Sequence, residues 1–454
     1  MTPEMNTDPA LRQYIELYTR NTGTLDAHSA PVLNSLRPRA LEVLKEGSLP
    51  SRSTEGYEKT PLDEMFAPDY GVNVSRLNLP VDVAASFRCD VPNLSTLSAC
   101  LANDAFIPSK GLDERLPEGV TFMSLARAAR EMPELVGAHY ATIAPLDQTP
   151  VALNTLLAQD GVFIHVAAGV KAEKTLQLVE ILSAPVEMAV FRRVLVVLED
   201  GAELRLLLCD HTQELTRRYL ASRIIEVKLG RGARLEMCAI EESSALTSSW
   251  SGLYMSQDAG SESRLNTTAL TCGTARNDFG VNLDGEYAST CLTGMAIGGG
   301  EMHIDNFTSV VHASPRCQSR QMFKYVLDGR SSGAFEGNIL VEEGAVFTEA
   351  YQTNRNILAS PDATMHCKPQ LVIYNDDVKA SHGATTGQLD NEALFYMRQR
   401  GIPEAEARTM LMQAFMVDVI DSVQIPGLNE RLRHLVDRRF SGSLGDCKGC
   451  AIEN

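Results

Sequence analysis

The side chain in this sequence whose type and setting most favour chemistry is His382. It lies between Ser381 and Gly383, where alternating, strand-like segments end and a glycine- and threonine-containing stretch must turn. A neutral imidazole binds iron or zinc well and can carry a proton near neutral pH. The position predicts a metal ligand or proton carrier, and the alternative is a histidine that only hydrogen-bonds the backbone of a partner.

Three further residues with ligand-type side chains are His303, Asp305 and His312. Their spacings of two and seven residues match no standard metal motif. On a strand, His303 and Asp305 would share one face, which makes a joint site possible. Structural hydrogen bonding is the interpretation that the irregular spacing favours.

The cysteines include one short pair, Cys447 and Cys450, in a C-x2-C arrangement. A closed four-sulfur site needs a second pair, and none has matching spacing. We therefore expect residues 441–454 to be a flexible tail, with a reducible dithiol or a transient metal contact as the alternative. The ten cysteines together show no disulfide spacing, which suits the reducing cytoplasm.

Composition and missing motifs exclude several classes of protein. The 454 residues include 58 acidic and 41 basic side chains, and the net charge of −17 argues against nucleic acid or an anionic membrane as the main partner. The N-terminal sequence does not resemble a secretory signal, and no run has the apolar length of a membrane helix. There is no G-x4-G-K-[ST] or G-x-S-x-G motif, so we expect neither an ATPase nor a serine hydrolase.

The N-terminal region, residues 1–150, is predicted to be mostly helical. Asp8 is a suitable helix cap, and a first-turn proline and apolar residues at helical spacing follow it. Those apolar residues are Leu11, Tyr14, Ile15 and Tyr18. Further helices are expected over residues 31–45, 94–104 and 122–131.

Residues 151–388 have a different sequence pattern, with short β-branched and apolar runs separated by acidic or glycine turns. The runs include VFIHV, LQLVEIL, FRRVLVVL, ELRLLLC, RIIEVKL and RLEMCAI. Many short strands without amphipathic helices between them exclude a Rossmann-type sheet. A sandwich, a barrel and a β-helix all remain open from periodicity alone.

Residues 389–440 are predicted to be helical again. Asp390 can cap a helix over residues 391–400, Pro403 can start a second, and a third is expected between Gly427 and Arg438. The second helix has a predicted apolar stripe at helical spacing. Its members are Ala407, Met410, Leu411, Ala414 and Phe415.

The stretch from Tyr351 to Gln388 resembles the SufB/SufD family of iron–sulfur cluster assembly proteins, and specifically its SufD branch. The matching residues are Gln352, Asn354, Asn356, Pro369, Gln370, Leu371, Asp377, Val378, Lys379, Ser381, His382, Gly383, Ala384 and Thr385. The resemblance covers most of residues 160–440. It implies a mainly β fold, a right-handed parallel β-helix flanked by N-terminal and C-terminal α-helical regions.

The same resemblance implies a role for His382. In this family the matching histidine lies at the interface with SufB and is implicated in building the nascent cluster. Many SufD sequences have a cysteine just before this segment, whereas this chain has Ala380, and Cys367 is the candidate to compensate. Iron or a transient iron–sulfur cluster at that interface is the implied cargo, and no tightly bound cofactor is expected in the isolated chain.

The C-terminal helices resemble the family's docking region for the SufC ATPase. The residues that we would test there are Arg398, Arg400, Met412 and Phe415, and the alternative is a simple end cap. The chain is thus predicted to be a non-enzymatic, SufD-like scaffold subunit of a SufBCD complex. A homodimer that works without SufB is a further possibility, and a secreted-type β-helix polysaccharide lyase or hydrolase is the alternative from another class.

Overall fold

Nineteen strands and eleven helices lie in residues 8–82 and 96–442, the parts of the chain that this computed structural model describes. The helices are α1 (Pro9–Ala27), α2 (Pro31–Asn34), α3 (Arg37–Glu46), α4 (Leu62–Phe66), α5 (Leu112–Arg115), α6 (Leu125–Glu131), α7 (Pro133–His139), α8 (Thr149–Leu157), α9 (Asn391–Gln399), α10 (Glu404–Asp421) and α11 (Leu428–Phe440). The strands are β1 (Thr96–Ala102), β2 (Ala105–Pro108), β3 (Val120–Ser124), β4 (Gly161–Val166), β5 (Thr175–Leu182), β6 (Met188–Leu198), β7 (Glu203–Thr212), β8 (Tyr219–Leu229), β9 (Arg234–Glu242), β10 (Thr247–Gln257), β11 (Glu262–Thr271), β12 (Thr274–Leu283), β13 (Ser289–Gly298), β14 (His303–His312), β15 (Gln318–Leu327), β16 (Ser332–Val341), β17 (Thr348–Leu358), β18 (Thr364–Ile373) and β19 (Val378–Gly387).

Helix α1 confirms the first predicted helix. The Asp8 carboxylate accepts a hydrogen bond from the Ala10 backbone N–H at 2.8 Å, which satisfies one of the free donors of the first turn. All four predicted apolar residues are buried. The helix expected over residues 31–45 is present as two pieces, α2 and α3.

The helix expected over residues 94–104 is wrong, because residues 96–102 form strand β1. This strand pairs in parallel with β5, from Thr96 opposite Thr175 to Ala102 opposite Ile181. Strand β3 similarly occupies the start of the helix expected at 122–131, and α6 begins only at Leu125. Pairing with the neighbouring sheet overrides local helix preference here, so the N-terminal region contributes three strands as well as helices.

The β region is a parallel β-helix, as expected. From β4 onward each strand pairs in parallel with the strand two positions later, so that even and odd strands form two facing sheets. One coil advances by 26 residues from Ser248 to Thr274 and by 32 residues from Ser332 to Thr364. This variation explains why the sequence shows no strict repeat.

The space between the two sheets contains the largest hydrophobic core, which runs from Leu97 to Ala363. Near its C-terminal end the ring of Phe323 lies 6.4 Å from that of Phe279 and 4.8 Å from that of Phe335. Each coil therefore buries its apolar side chains against the next coil, as stacked repeats do.

In seven successive coils one turn contains a residue with positive φ, and its N–H bonds the next coil. Four successive coils place glycine there, at 169, 201, 232 and 260. The next three coils instead have Tyr287, Arg316 and Phe347, with φ of 63°, 60° and 59°. A left-handed conformation costs a residue with a side chain about 1–2 kcal/mol, whereas glycine adopts it freely.

Two of the C-terminal helices pack on the side of the β-helix through a separate apolar cluster. The stripe predicted for α10 is wrong at Met410 and Ala414, which are exposed, whereas Ala407 is buried and Phe415 packs against the cluster. The buried residues of α10 are Ala407, Met416, Val419 and Ile420. Helix α10 has apolar residues on more than one face, so helical spacing alone does not identify the face that meets the sheet. Helix α11 confirms the third predicted helix and buries Leu428, Leu432, Leu435 and Val436.

Candidate functional site at the open end of the β-helix

The C-terminal end of the β-helix is open. Strands β18 and β19 are the last strands of the two sheets, and no further strand in residues 8–82 and 96–442 pairs with either. Most side chains of β19 are exposed, and Val372, Ile373 and Tyr374 are exposed at the end of β18. Both strands therefore present a free row of backbone N–H and C=O groups.

Residue His382 lies on the inward face of β19. It is in register with Gln352 of β17, which is in register with Gln321 of β15. Residues paired in register point to the same side of a parallel sheet, and both glutamines are buried between the sheets. The His382 side chain is exposed only because its coil is the last one.

The two glutamines beneath His382 form a polar stack. The Gln352 Nε2 donates to Gln321 Oε1 at 3.1 Å, and the Thr308 hydroxyl donates to the same oxygen at 2.7 Å. The Gln352 Oε1 is buried and has no hydrogen-bond partner. A buried acceptor without a partner therefore lies one strand from His382, where it can accept an imidazole N–H.

The neighbours of His382, Ser381 and Gly383, lie on the outward face of β19 and are exposed. A Cβ atom added at Gly383 would meet no atom within 4 Å. Nothing in the described residues thus requires glycine at this position.

The thiol of Cys367 lies at the same open end but next to Thr386, with their Sγ and Oγ1 atoms 3.8 Å apart. Thr386 is four residues further along β19 than His382, so the two candidate ligands are about 13 Å apart along the strand. The Cys367 Sγ–H donates to Asn354 Oδ1 at 3.0 Å, and Asn356 Nδ2 donates to Sγ at 3.2 Å. Burial raises the pKa of the Cys367 thiol, while hydrogen bonds from Thr386 and Asn356 oppose this shift.

The residues His303, Asp305 and His312 make structural hydrogen bonds, as the spacing favours. Asp305 accepts from Arg276 at 2.6 Å and from the Thr60 hydroxyl at 2.5 Å, and His303 lies 2.8 Å from the same hydroxyl. His312 is buried 2.8 Å from Ser319, and desolvation lowers its pKa to about 4. Across the described ranges, His, Cys, Asp and Glu side chains form no group of three or more that could hold a metal ion.

The pair Cys447 and Cys450 lies outside the described residues, as does most of the predicted tail. None of the helices in residues 8–82 and 96–442 combines the length and apolar character that a membrane-spanning helix needs.

The C-terminal candidates fall into two groups. Met412 and Phe415 pack against the apolar cluster beneath α10, and the Lys324 ammonium donates to the Phe415 carbonyl at 2.7 Å. Arg398 and Arg400 are exposed. The Arg400 guanidinium lies 4.5 Å from the ring of Tyr396, which is exposed on α9.

The exposed face of α9 borders a cleft of about 600 Å³. It is lined by Asn391, Glu392, Phe395, Tyr396, Gln399 and Arg400. Sequence reasoning missed Phe395 and Tyr396, although two adjacent aromatic residues on a helix that buries only Leu394 were a signal for an exposed apolar surface.

Sequence reasoning also assigned no chemical role to Gln352. A polar residue at an inward position of a predicted strand was the available signal. Its place beneath His382 depends on the register of β17 and β19, which the sequence does not specify.

Comparison with known proteins adds two family matches. The SufBD protein N-terminal region matches residues 9–178, and the domain described as "SUF system FeS cluster assembly, SufBD core domain" matches residues 181–415. The matches together span the helical N-terminal region, the β-helix and part of α10.

Curated relatives are similar over most of the chain. An iron–sulfur cluster assembly SufBD family protein of Synechocystis is 26% identical over 92% of this chain and 92% of its own length. The iron–sulfur cluster assembly protein SufD of Escherichia coli is 25% identical over 88% of this chain and 92% of its own length. The protein of the same name from Bacillus subtilis is 26% identical over 71% of this chain and 74% of its own length.

Proposed function

Because the chain belongs to the SufBD family of iron–sulfur cluster assembly proteins, we propose that it is a SufD-like scaffold subunit of a SufBCD complex. In this proposal it pairs with a SufB-like protein at the open end of the β-helix and docks a SufC-like ATPase on its C-terminal helices. It supports iron acquisition and assembly of the nascent cluster in the cytoplasm, and it is not itself an enzyme. The observation that carries the proposal is the open last coil with His382 on it.

Pairing at the open end has a physical basis. The free backbone groups of β18 and β19 can bond the edge strands of another β-helix, which would extend both sheets across the contact. Val372 and Tyr374 add exposed apolar surface at this edge. A homologous protein with the same open end is the natural partner, and a second copy of this chain offers the same groups.

Closing the open end would bring His382 to the boundary between two subunits. Its imidazole would be one ligand to iron or to a nascent cluster, and the partner would supply the others. Gln352 Oε1 would accept the N–H of the ring nitrogen that does not bind the metal, which fixes the tautomer and the ring orientation. The cluster is cargo that leaves the site, so a small number of ligands from each subunit suits its release.

The geometry supports a direct role for Cys367 less well than a role for His382. Its distance from His382 along β19 and its raised pKa both disfavour a thiolate that shares an iron with this histidine. We propose His382 as the ligand, with Cys367 and its two asparagine partners shaping the inner wall of the open end.

The docking of a SufC-like ATPase is proposed for the exposed face of α9 and the start of α10. Phe395, Tyr396 and Arg400 offer the aromatic and arginine side chains that dominate binding energy in protein interfaces. Met412 and Phe415 would contribute indirectly, because they attach α10 to the β-helix and so hold the docking face in place. Lys324 connects α10 to β15, so that movement of the helices can reach the coils near the open end.

The test is native mass spectrometry of the chain alone, then mixed with SufB-like and SufC-like proteins. The proposal predicts a heterodimer with the SufB-like protein that forms in preference to the homodimer, and a larger assembly when the SufC-like protein is added. A chain that stays monomeric in every mixture would contradict it. The relatives give no support to the polysaccharide-enzyme alternative, since they are named as iron–sulfur cluster assembly proteins.

A further inference from the structure

The turn residues Tyr287, Arg316 and Phe347 form an exposed stack on one corner of the β-helix. The Arg316 guanidinium lies 5.7 Å from the ring of Tyr287 and 5.1 Å from the ring of Phe347. Tyr374, in the corresponding turn of the last coil, adds a third exposed ring. We call these four residues the aromatic corner.

At three of its four residues, Tyr287, Arg316 and Phe347, the backbone of the aromatic corner favours glycine. The four preceding coils have glycine at the same turn position, with the same N–H to carbonyl bond to the next coil. The fold is therefore built equally well without side chains there, and two exposed cation–π contacts offset only part of the strain of three left-handed residues. Strain of this kind persists where the side chains have another use.

The charge around the aromatic corner indicates what would bind. Six exposed carboxylates lie in the same turns: Asp284, Glu286, Glu342, Glu343, Asp376 and Asp377. Within the described ranges none of the six is in an ion pair. A surface that combines carboxylates outside ion pairs with exposed aromatic rings is complementary to arginine and lysine side chains, because rings attract cations over their faces.

We propose that the aromatic corner is a docking surface for a basic, arginine-bearing segment of a partner protein. The carboxylates attract the segment, and the outer faces of Tyr287 and Phe347 bind its guanidinium groups. Arg316 holds the two rings apart at a fixed spacing and leaves those outer faces free. The inference does not depend on pairing at the open end, because Tyr287, Arg316 and Phe347 lie on coils before the last one and only Tyr374 adjoins the open end.

The test is fluorescence anisotropy of the full chain with a short labelled peptide of alternating arginine and glycine. The double variant Y287G/F347G retains all six carboxylates and should bind about tenfold more weakly than the unmodified chain. Glycine relieves backbone strain, so the melting temperature of this variant should be unchanged or higher, which separates lost binding from lost folding.

The matched control is V186G/L215G. Those apolar side chains are 57% and 59% exposed, close to the 60% and 54% of Tyr287 and Phe347, and they belong neither to the aromatic corner nor to the proposed docking face of α9. The control should bind the arginine peptide as the unmodified chain does. The proposal is overturned if the unmodified chain does not bind the peptide, if Y287G/F347G binds equally well, or if both double variants weaken binding to the same extent. The second result would mean attraction by net charge alone, and the third would mean non-specific contact with exposed apolar side chains.

Discussion

Residue Gln352 lies directly beneath His382, one strand away in register, and its Oε1 is a buried acceptor without a hydrogen-bond partner. An exposed histidine at the end of a β-helix thus has a buried hydrogen-bond acceptor one strand away on its inner side. In the proposed pairing at the open end, a hydrogen bond to this acceptor would hold the His382 ring in one orientation.

The support beneath His382 depends on Gly337. A Cβ atom at Gly337 would lie 2.1 Å from Gln352 Nε2, so G337A should displace the Gln352 amide and break its bond to Gln321. We expect a loss of about 1–3 kcal/mol in the free energy of unfolding, measured by urea denaturation, and a changed NMR shift for the His382 ring. The control G383A adds a Cβ in open space and should leave both quantities unchanged. Equal free energies of unfolding and equal His382 shifts in G337A and G383A would disprove the claim that Gln352 supports His382.

Pairing at the open end predicts a steric block at Gly383. The variant G383W should fold normally, because a Cβ atom at Gly383 meets no atom within 4 Å, yet the bulk of the indole should hinder the approach of a partner strand to β19. We expect loss of heterodimer and homodimer in native mass spectrometry. The control is G23W, since Gly23 on α1 also has no atom within 4 Å of an added Cβ. Dimers of G383W as abundant as those of G23W would exclude β19 from the contact.

The attachment of α10 to the β-helix depends on Lys324. Its buried ammonium donates to the Phe415 carbonyl and to the Asp418 carboxylate, both at 2.7 Å. The variant K324M keeps the length of the side chain and loses both bonds, so we expect a loss of about 1–3 kcal/mol in the free energy of unfolding. K379M removes an exposed lysine paired with Glu349 and should cost at most about 0.5 kcal/mol. Similar losses in the two variants would contradict the predicted role of Lys324.

The buried His312 predicts a pH dependence of stability. Desolvation lowers its pKa to about 4 in the folded chain, whereas an unfolded histidine titrates near about 6.5. Between these two pH values the unfolded state therefore binds more protons than the folded state. The stabilising effect of neutral His312 is complete above about pH 6.5 and is lost as the pH falls toward about 4. As the pH falls from about 6.5 to about 4, the free energy of unfolding of the unmodified chain should decrease by on the order of 3 kcal/mol more than that of H312Q. Parallel stability curves for the two proteins would refute the assignment.

The sequence predicted those elements whose signals are local. Asp8 with its following proline identified α1, and the alternating runs identified the strands of the β region. The sandwich and barrel alternatives were excluded only by the family resemblance, because a coil length that varies from 26 to 32 residues leaves no repeat to detect.

Other features depend on contacts between distant residues, and the sequence did not specify them. Strand β1 was predicted as a helix because its partner β5 lies more than 70 residues away. The stripe of α10 was misassigned at Met410 and Ala414 because apolar residues occupy several faces of this helix, and packing selects among them. The site was partly predicted: His382 lies at the open edge, while its support by Gln352 and the position of Cys367 beside Thr386 depend on strand register.

The most direct test of the central claim is the yield of iron–sulfur clusters from the complete assembly of this chain with its SufB-like and SufC-like partners. The variant H382A should lower that yield on the order of tenfold while the assembly still forms, because one metal ligand at the contact is lost. The matched control is H366A, which removes an exposed histidine from the outward face of the same last coil. A yield from H382A equal to that from H366A would contradict the claim that His382 binds the cluster.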